Sequence, residues 1–148
     1  MQTVNVSTEA TIKCPLERVA AYASNPDNAT EWYANIKSVT WKTARKISVG
    51  SQIEFIAHFL GRQLIYTYEI VEFVPNEKFV MRTVDGPFPM ETTYLWKSNS
   101  ASETRMTLIN QGSPRGFSRF LAPCMAFAMK RANRKDLKRL KHILENKT

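Results

Sequence analysis

Side chains that could carry out acid–base or nucleophilic chemistry are few in this sequence. Its two histidines, His58 and His142, lie far apart along the chain. His142 falls within a run of lysines and arginines, which indicates a solvent-exposed position. His58 alternates with the apolar residues of the segment SQIEFIAHFL, so it points outward when those residues face the interior. The sequence contains no His-Glu-x-x-His motif, no cysteine–histidine cluster and no phosphate-binding glycine loop, and it therefore predicts no metal site and no cofactor.

Carboxylates that could act as general acids or bases lie in strand-like segments, at Glu54, Glu69, Glu72 and Glu91. An ion pair or a solvated surface position is the ordinary role of such residues. A buried acid with a raised pKa could instead act as a general base. The residues to consider for an enzyme are Glu72, Tyr94, His58 and Arg82. Because the sequence shows no catalytic constellation, it favours a binding protein and leaves catalysis as an alternative.

The two cysteines, Cys14 and Cys124, are too isolated to form a metal cluster or a disulfide framework. Both lie in apolar stretches, so both are predicted to be small buried side chains. The N-terminal residues MQTVNVSTEATIK lack a basic start followed by an apolar run, which is the pattern of a signal peptide. A cytoplasmic location is therefore expected.

Alternation of apolar and polar residues with a period of two predicts the strands that must position these side chains. The predicted strands cover 3–13, 37–43, 51–60, 62–74, 77–85, 88–97 and 103–111. Short helical segments are predicted over 15–24 and 28–36. The turns between the later strands are short, which favours an antiparallel meander. One long helix, from about Gly116 to about Leu144, completes an α+β fold in which a curved antiparallel sheet wraps around a C-terminal helix.

The inward-facing side chains of the predicted sheet are mostly aromatic residues and methionines, with a few hydroxyl and amide groups. They are Phe55, Ala57, Phe59, Tyr66, Tyr68, Met81, Met90, Thr92, Tyr94, Met106, Leu108 and Asn110. An apolar lining with a few directional polar groups is typical of a small-molecule site. The groups that would orient a ligand are Tyr66, Tyr68, Thr92, Tyr94 and Asn110. The same pattern is typical of a packed core, and the residues alone leave both alternatives open.

The C-terminal helix is predicted to present an apolar stripe to this face, because apolar residues recur there at spacings of three and four. The members of the stripe are Phe117, Phe120, Leu121, Cys124, Met125, Ala128, Met129 and Ala132, and Leu137, Leu140, Ile143 and Leu144 continue it. Arg119 interrupts the apolar part, which is shorter than the ~20 residues that a membrane span needs. The stripe is therefore expected to close the concave side of the sheet.

The net charge of +8 is concentrated at the C-terminal end of the chain. Residues 114–148 hold 10 of the 21 lysines and arginines but only two of the 13 acidic residues. Most of these cations fall off the apolar stripe, so a solvated face is expected. Attraction of an acidic ligand or partner is an alternative. The sequence argues against nucleic acid and membrane as partners, because the stripe is committed to the sheet and only Asn133 interrupts the run of cations.

Five short motifs follow one another along the chain. They are 12–20 (IKCPLERVA), 25–32 (NPDNATEW), 68–79 (YEIVEFVPNEKF), 103–107 (ETRMT) and 137–145 (LKRLKHILE). In this order they resemble the START-like, or SRPBCC, superfamily of helix-grip proteins, which includes polyketide cyclases and dehydrases. Asn25 stands where that family usually has aspartate, and Glu103 stands where it usually has glycine. The resemblance covers nearly the whole chain and implies one helix-grip domain over 1–148.

This resemblance favours an open cavity over a filled core, since a strongly curved sheet under one helix leaves space between them. It implies binding of a hydrophobic or amphipathic small molecule in that space. Proteins with the same scaffold bind, carry or transform different molecules. A polyketide cyclase/dehydrase-like enzyme acting in the same cavity is therefore the alternative, and an interaction module that uses the basic C-terminal helix is a second one.

Overall fold

Seven β-strands and three α-helices form within residues 4–59, 61–87, 89–113 and 122–146, which are the residues that the computed structural model describes. The strands are β1 (Val4–Ile12), β2 (Ile36–Trp41), β3 (Gln52–Phe59), β4 (Arg62–Val74), β5 (Lys78–Asp85), β6 (Met90–Ser100) and β7 (Glu103–Gly112). The helices are α1 (Leu16–Ser24), α2 (Ala29–Trp32) and α3 (Ala122–Asn146), with a 3-10 turn at Pro26–Asn28 between α1 and α2.

The seven strands make one antiparallel sheet in the order β1-β7-β6-β5-β4-β3-β2. Strands β2 to β7 form the meander that the short turns predict, and β1 pairs along its whole length with β7. Bulges interrupt the β4–β5 ladder between Thr67 and Tyr68 and again between Ile70 and Glu72. Because a bulge bends its strand and increases the local twist, these irregularities help to curl the sheet. The predicted α+β helix-grip fold is confirmed.

The sequence and the structure differ chiefly between α1 and β3. The sequence predicts a helical segment over 28–36, but α2 ends at Trp32 because the backbone of Tyr33 turns to an extended conformation. Strand β2 then begins at Ile36. Within the sheet, β6 runs to Ser100 and not to residue 97, since its hairpin with β7 continues through polar residues. The predicted start of the last helix near residue 116 lies outside the described residues.

Helix α3 crosses the concave face of the sheet and packs mainly against β1. The Nζ atom of Lys141 donates to the Thr11 carbonyl oxygen at 2.6 Å, and the backbone N–H of Lys13 donates to Glu145 Oε2 at 2.8 Å. These bonds fix the C-terminal end of α3 beside the end of β1. The side chains that fill the space under this end are Leu137, Leu140 and Leu144, all of them buried. Open space is consequently left toward the N-terminal half of α3.

No helix among the described residues is both long enough and apolar enough to cross a membrane.

Candidate ligand cavity

A cavity of about 160 Å³ lies between the concave face of the sheet, the α1–α2 region and the N-terminal half of α3. Twelve of the residues that the sequence predicts at a cavity line it. They are Phe55, Ala57, Phe59, Tyr66, Tyr68, Met81, Met90, Thr92, Tyr94, Asn110, Met125 and Met129. The period-two pattern of β3 to β7 brings the sheet residues to one face, and the helical period of α3 brings Met125 and Met129 to the side that faces them.

Other predicted lining residues lie elsewhere. Met106 and Leu108 are fully buried in the hydrophobic core and do not border the cavity. Ala128 is half-buried and does not line the cavity. Cys124 is exposed, so its predicted burial is wrong, whereas Cys14 is buried as expected. The remaining predicted residues, Phe117, Phe120 and Leu121, lie outside the described residues.

Cys124 is exposed because it lies one position away from the buried side of α3. The buried positions of this helix recur as Met125, Met129, Asn133, Asp136, Leu137, Leu140 and Leu144. Counting from Met125 in steps of three and four reaches every one of them, whereas Cys124 falls on the outward side. Phe127 also lies there and is 70% exposed. The apolar side chains at the start of α3 thus face both the cavity and the solvent, whereas the sequence predicts one inward-facing stripe.

Several lining residues are absent from the set that the sequence predicts. Eight lie between Ala23 and Ile36, in a region that the sequence treats as local helix and not as a cavity wall. Three come from α3, and of these Ala132 lies on the predicted stripe. The additional residues are Ala23, Ser24, Asn25, Pro26, Ala29, Tyr33, Asn35, Ile36, Leu64, Phe79, Ala132, Asn133 and Asp136. The helical period places Asn133 and Asp136 on the same side of α3 as Met129, a signal that the surrounding run of cations conceals.

One polar cluster of the cavity wall joins three strands. Thr92 Oγ1 on β6 donates to Asn110 Oδ1 on β7 at 2.7 Å, and both residues are buried. The hydroxyl of Tyr68 on β4 is hydrogen-bonded to Thr92 in turn. Burial raises the pKa of Tyr68 to about 12, although the bond to Thr92 opposes the increase. The Thr92–Asn110 bond therefore pairs part of this polar wall inside the protein.

A second polar cluster lies where α2, β6 and α3 meet. The hydroxyl oxygens of Tyr33 and Tyr94 are 2.6 Å apart and share a hydrogen bond. The Tyr94 ring stacks on Phe79 with centroids 5.6 Å apart, and the Tyr33 ring packs on Trp32 at 4.1 Å. Burial raises the pKa of both tyrosines well above the ordinary value. Both hydroxyl groups are therefore neutral at physiological pH and act as hydrogen-bonding groups.

Asp136 brings a carboxyl group to the same end of the cavity. It is only 2% exposed, and its Oδ1 accepts a hydrogen bond from the backbone N–H of Ala34 at 3.0 Å. Burial raises its pKa from 3.8 to about 6, against the opposing effects of the Ala34 bond and of the charges on Lys135 and Arg139. No salt bridge within the described part of the chain includes Asp136. The carboxyl group is thus ionised at neutral pH, although no cation pairs with it directly.

Asn133 lies one helical turn before Asp136 and also lines the cavity. It is 5% exposed, and its Nδ2 atom has no hydrogen-bond partner among the described residues. Buried polar atoms are nearly always hydrogen-bonded, so an unpaired amide donor next to a cavity indicates a position where another molecule can supply the acceptor.

The carboxylates that the sequence offers for catalysis lie on the protein surface. Glu72 pairs with Lys78 at 3.4 Å and Glu91 with Arg82 at 2.9 Å, while Glu54 faces Lys42 and Glu69 bonds to Gln52. Both histidines are exposed. Of the residues considered for an enzyme, Tyr94 alone borders the cavity. The described residues contain no group of three or more histidine, cysteine or acidic side chains that could hold a metal ion.

The cations of α3 form an outward face on the opposite side of the helix from the cavity. Its exposed members are Lys130, Arg131, Arg134, Lys135, Lys138 and Arg139. Lys141 is half-buried and pairs with Glu145 at 2.9 Å. The basic residues therefore lie off the inward stripe, as the sequence predicts, while Phe127 adds an exposed aromatic ring to their side.

Comparison with known proteins gives the same architecture. The family model described as polyketide cyclase/dehydrase and lipid transport matches residues 3–145. A START superfamily protein from Mycobacterium smegmatis superposes with a TM-score of 0.83 at 14% identity, covering 97% of this chain and 99% of the other. The Zhui aromatase/cyclase from Streptomyces sp. R1128 gives 0.80 at 14% identity, with 97% and 94% covered. Ginseng major latex-like protein 151 from Panax ginseng gives 0.72 at 12% identity, with 96% and 97% covered. No curated protein sequence matches this chain.

Proposed function

We propose that this chain, which belongs to the polyketide cyclase/dehydrase and lipid transport family, binds an apolar or amphipathic small molecule between its sheet and α3. The observation that carries the proposal is the cavity of about 160 Å³, whose wall is mostly apolar, rich in aromatic residues and methionines, and contains two polar clusters. Such a wall binds a ligand through apolar contacts over most of its area, and its few polar groups fix the orientation of the ligand. We propose that residues 1–148 form one domain.

Binding would draw mainly on the removal of apolar surface from water. Each 100 Å² of apolar surface buried contributes roughly 2.5 kcal/mol, before the loss of translational and rotational freedom is subtracted. The Thr92 hydroxyl and the Asn110 carbonyl oxygen already bond to each other. Their part would be to limit which apolar shapes fit, while the unpaired groups near Asp136 would orient the molecule.

A cavity-filling substitution tests this proposal. Ala132 lines the cavity and Ala128, one turn earlier on α3, does not, although both are half-buried. We expect Ala132→Leu to reduce the affinity for toluene at least tenfold, measured by calorimetry or by ligand-induced change in melting temperature. The matched variant Ala128→Leu should bind toluene as the wild type does. Equal affinities in all three proteins, or no binding of any apolar probe to the wild type, would contradict the proposal.

Catalysis in the same cavity is a second candidate, because Asp136 supplies a buried carboxyl with a pKa of about 6. An ionised carboxylate could accept a proton from the carbon next to a ketone. A neutral hydroxyl of the Tyr33–Tyr94 pair could donate a hydrogen bond to the enolate oxygen that forms. Returning a proton to the same carbon regenerates the ketone and the carboxylate, so the cycle balances without a cofactor.

Deuterium exchange into the methyl group of acetophenone in D₂O, followed by NMR, separates catalysis from binding. Catalysed exchange that disappears in Asp136→Asn would establish the enzyme. Binding of acetophenone without accelerated exchange would indicate that the cavity binds the ketone but does not catalyse the reaction.

A further inference from the structure

The polar end of the cavity limits the chemistry of its ligand. This end consists of Asp136 and Asn133 on α3 and of the hydroxyl pair Tyr33–Tyr94. We infer that the ligand is a small hydroxylated ring of the phenol class, whose hydroxyl group donates a hydrogen bond to Asp136 and accepts one from the tyrosine pair or from Asn133. The inference rests on the proposed function, since it requires that the cavity bind a molecule.

The volume of the cavity, which is partly open to solvent, accommodates about one ring inside the protein. Its volume of about 160 Å³ is close to the ~150 Å³ of an engineered apolar cavity that holds one benzene molecule. A long acyl chain or a fused polycyclic molecule needs several times that space. The apolar wall that surrounds this volume, including Phe55, Met81 and Met129, offers no direct partner for a charged group.

Asp136 supplies a hydrogen-bond acceptor. An ionised carboxylate has about four sites at which it can accept a hydrogen bond. Among the described residues, one backbone N–H, that of Ala34, occupies a site on Oδ1. Removing a carboxylate from water without replacing its hydrogen bonds is costly. A ligand that brings an O–H group to this end would restore one of the lost bonds.

The tyrosine pair supplies a donor. Tyr33 and Tyr94 carry one hydroxyl proton each, and a single proton suffices for the bond between their oxygen atoms at 2.6 Å. The second proton is therefore available to another acceptor. Asn133 adds a further donor, because its buried Nδ2 has no partner among the described residues. Donors and an acceptor thus occur together at one end of a mostly apolar space.

This combination selects a hydroxyl group over the other common polar groups. A hydroxyl group both donates and accepts, so it can meet the carboxylate and a donor at once. A ketone only accepts and leaves Asp136 without a new bond, while an ammonium group only donates and leaves the tyrosine proton and Asn133 unpaired. A ligand carboxylate would be repelled by the negative charge of Asp136. A ring that carries one hydroxyl group fits the volume of the cavity and can form hydrogen bonds with the groups at its polar end.

Phenol and toluene form the probe pair that tests the inference, because they differ by a hydroxyl in place of a methyl group. The quantity to compare is the ratio of their affinities in each protein, which removes their unequal solubility in water. In Asp136→Asn we expect the affinity for phenol to fall tenfold to a hundredfold relative to toluene, since a hydrogen bond to a charged group is worth roughly that factor. In Tyr94→Phe we expect a smaller fall, roughly twofold to tenfold, because the bond lost is between neutral groups. Benzoate should bind the wild type more weakly than phenol does.

Tyr22→Phe serves as the matched control. The Tyr22 hydroxyl donates to the carboxylate of Glu31 outside the cavity, so its removal also breaks a tyrosine–carboxylate bond but should leave the ratio unchanged. Circular dichroism establishes that each variant is folded, and Tyr33→Phe replaces any variant that is not.

Three results are distinguishable. A ratio that falls in the cavity variants and not in Tyr22→Phe supports the inference. Binding of both probes with the same ratio in all variants overturns the inference and leaves the proposed function standing. Failure of both probes to bind the wild type overturns the proposed function, and the inference with it.

Discussion

Replacing Asp136 by asparagine should stabilise the protein near neutral pH and destabilise it slightly in mild acid. The pKa of Asp136 rises from 3.8 to about 6 on folding, because the carboxyl is buried. Its charged form is therefore less stable in the folded protein than in the unfolded chain. The difference corresponds to about 3 kcal/mol, at ~1.36 kcal/mol for each pH unit.

The sign of the pH dependence follows from the number of protons bound. Between pH 4 and pH 6 the folded protein retains the proton of Asp136, while the unfolded chain loses it. The free energy of unfolding that depends on this group therefore decreases as pH rises through that range, and it changes little above it. Asparagine does not titrate, so the variant lacks this decrease.

The size of the stabilisation depends on what asparagine does at this position. Its Oδ1 can still accept the Ala34 N–H, but its Nδ2 would be a buried donor, which costs about 1–2 kcal/mol when it is unpaired. At pH 7.5 we accordingly expect a net gain of about 1–2 kcal/mol. The free energy of unfolding of the variant minus that of the wild type should increase by about 2–3 kcal/mol between pH 4 and pH 7.5. The cost of the unpaired Nδ2 is the same at both pH values and cancels from this increase.

Urea unfolding of the wild type and the Asp136→Asn variant at pH 4.0, 5.0, 6.0 and 7.5 measures this difference. Asp85→Asn is the control, since Asp85 is exposed and its loss removes the same charge without relieving burial. A difference between wild type and Asp136→Asn that is constant over this range would refute the reasoning. So would a variant that loses stability relative to the wild type as pH rises.

Three further expectations concern α3. Leu140→Ala should lower the free energy of unfolding by about 2–5 kcal/mol, because Leu140 is fully buried under the closed end of the helix; Ile143→Ala, at a half-buried position, should cost less in the same urea experiment. Changing Lys135, Lys138 and Arg139 together to glutamate should abolish any salt-dependent retention on heparin, and undiminished retention would exclude this face as an anion-binding surface. Changing only Lys135 and Arg139 to glutamine should extend the pH-dependent loss of stability to higher pH, since both charges lower the pKa of Asp136 in the folded protein.

The order of the elements could be predicted from the sequence because each strand carries its own periodic signal. Residues 62–74, predicted as one strand, form β4 with the same bounds. The secondary structure of the segment around Ile36 is harder to predict, because it depends on pairing with β3 and not on the local sequence pattern. Ile36 lies opposite Ala57 in the sheet. Such a pairing has no signature within a few residues of the chain.

The cavity could be predicted only in part, for two physical reasons. Alternation tells which face of a strand a residue occupies, but not what covers that face. Met106 and Leu108 have the expected orientation, yet they lie on β7, whose neighbour β1 is the strand against which α3 packs most extensively. They are consequently in the core beside the helix. The wall contributed by Tyr33 and its neighbours depends on how the α1–α2 segment folds back, which no periodicity encodes.

The helical period places Asp136 on the buried side of α3, but its basic neighbours in the sequence suggest a solvent-exposed position. It lies seven residues after Met129 and three after Asn133, and all three are buried on one side of α3. The neighbouring cations, Lys135 and Arg139, are exposed, but their charges lower the pKa of Asp136 and so favour its ionised form. Part of the positive charge of α3 thus makes a buried carboxylate easier to maintain at neutral pH. A solvated face and a cavity site are therefore electrostatically coupled through one helix, and the excess of basic residues has a consequence inside the protein as well as at its surface.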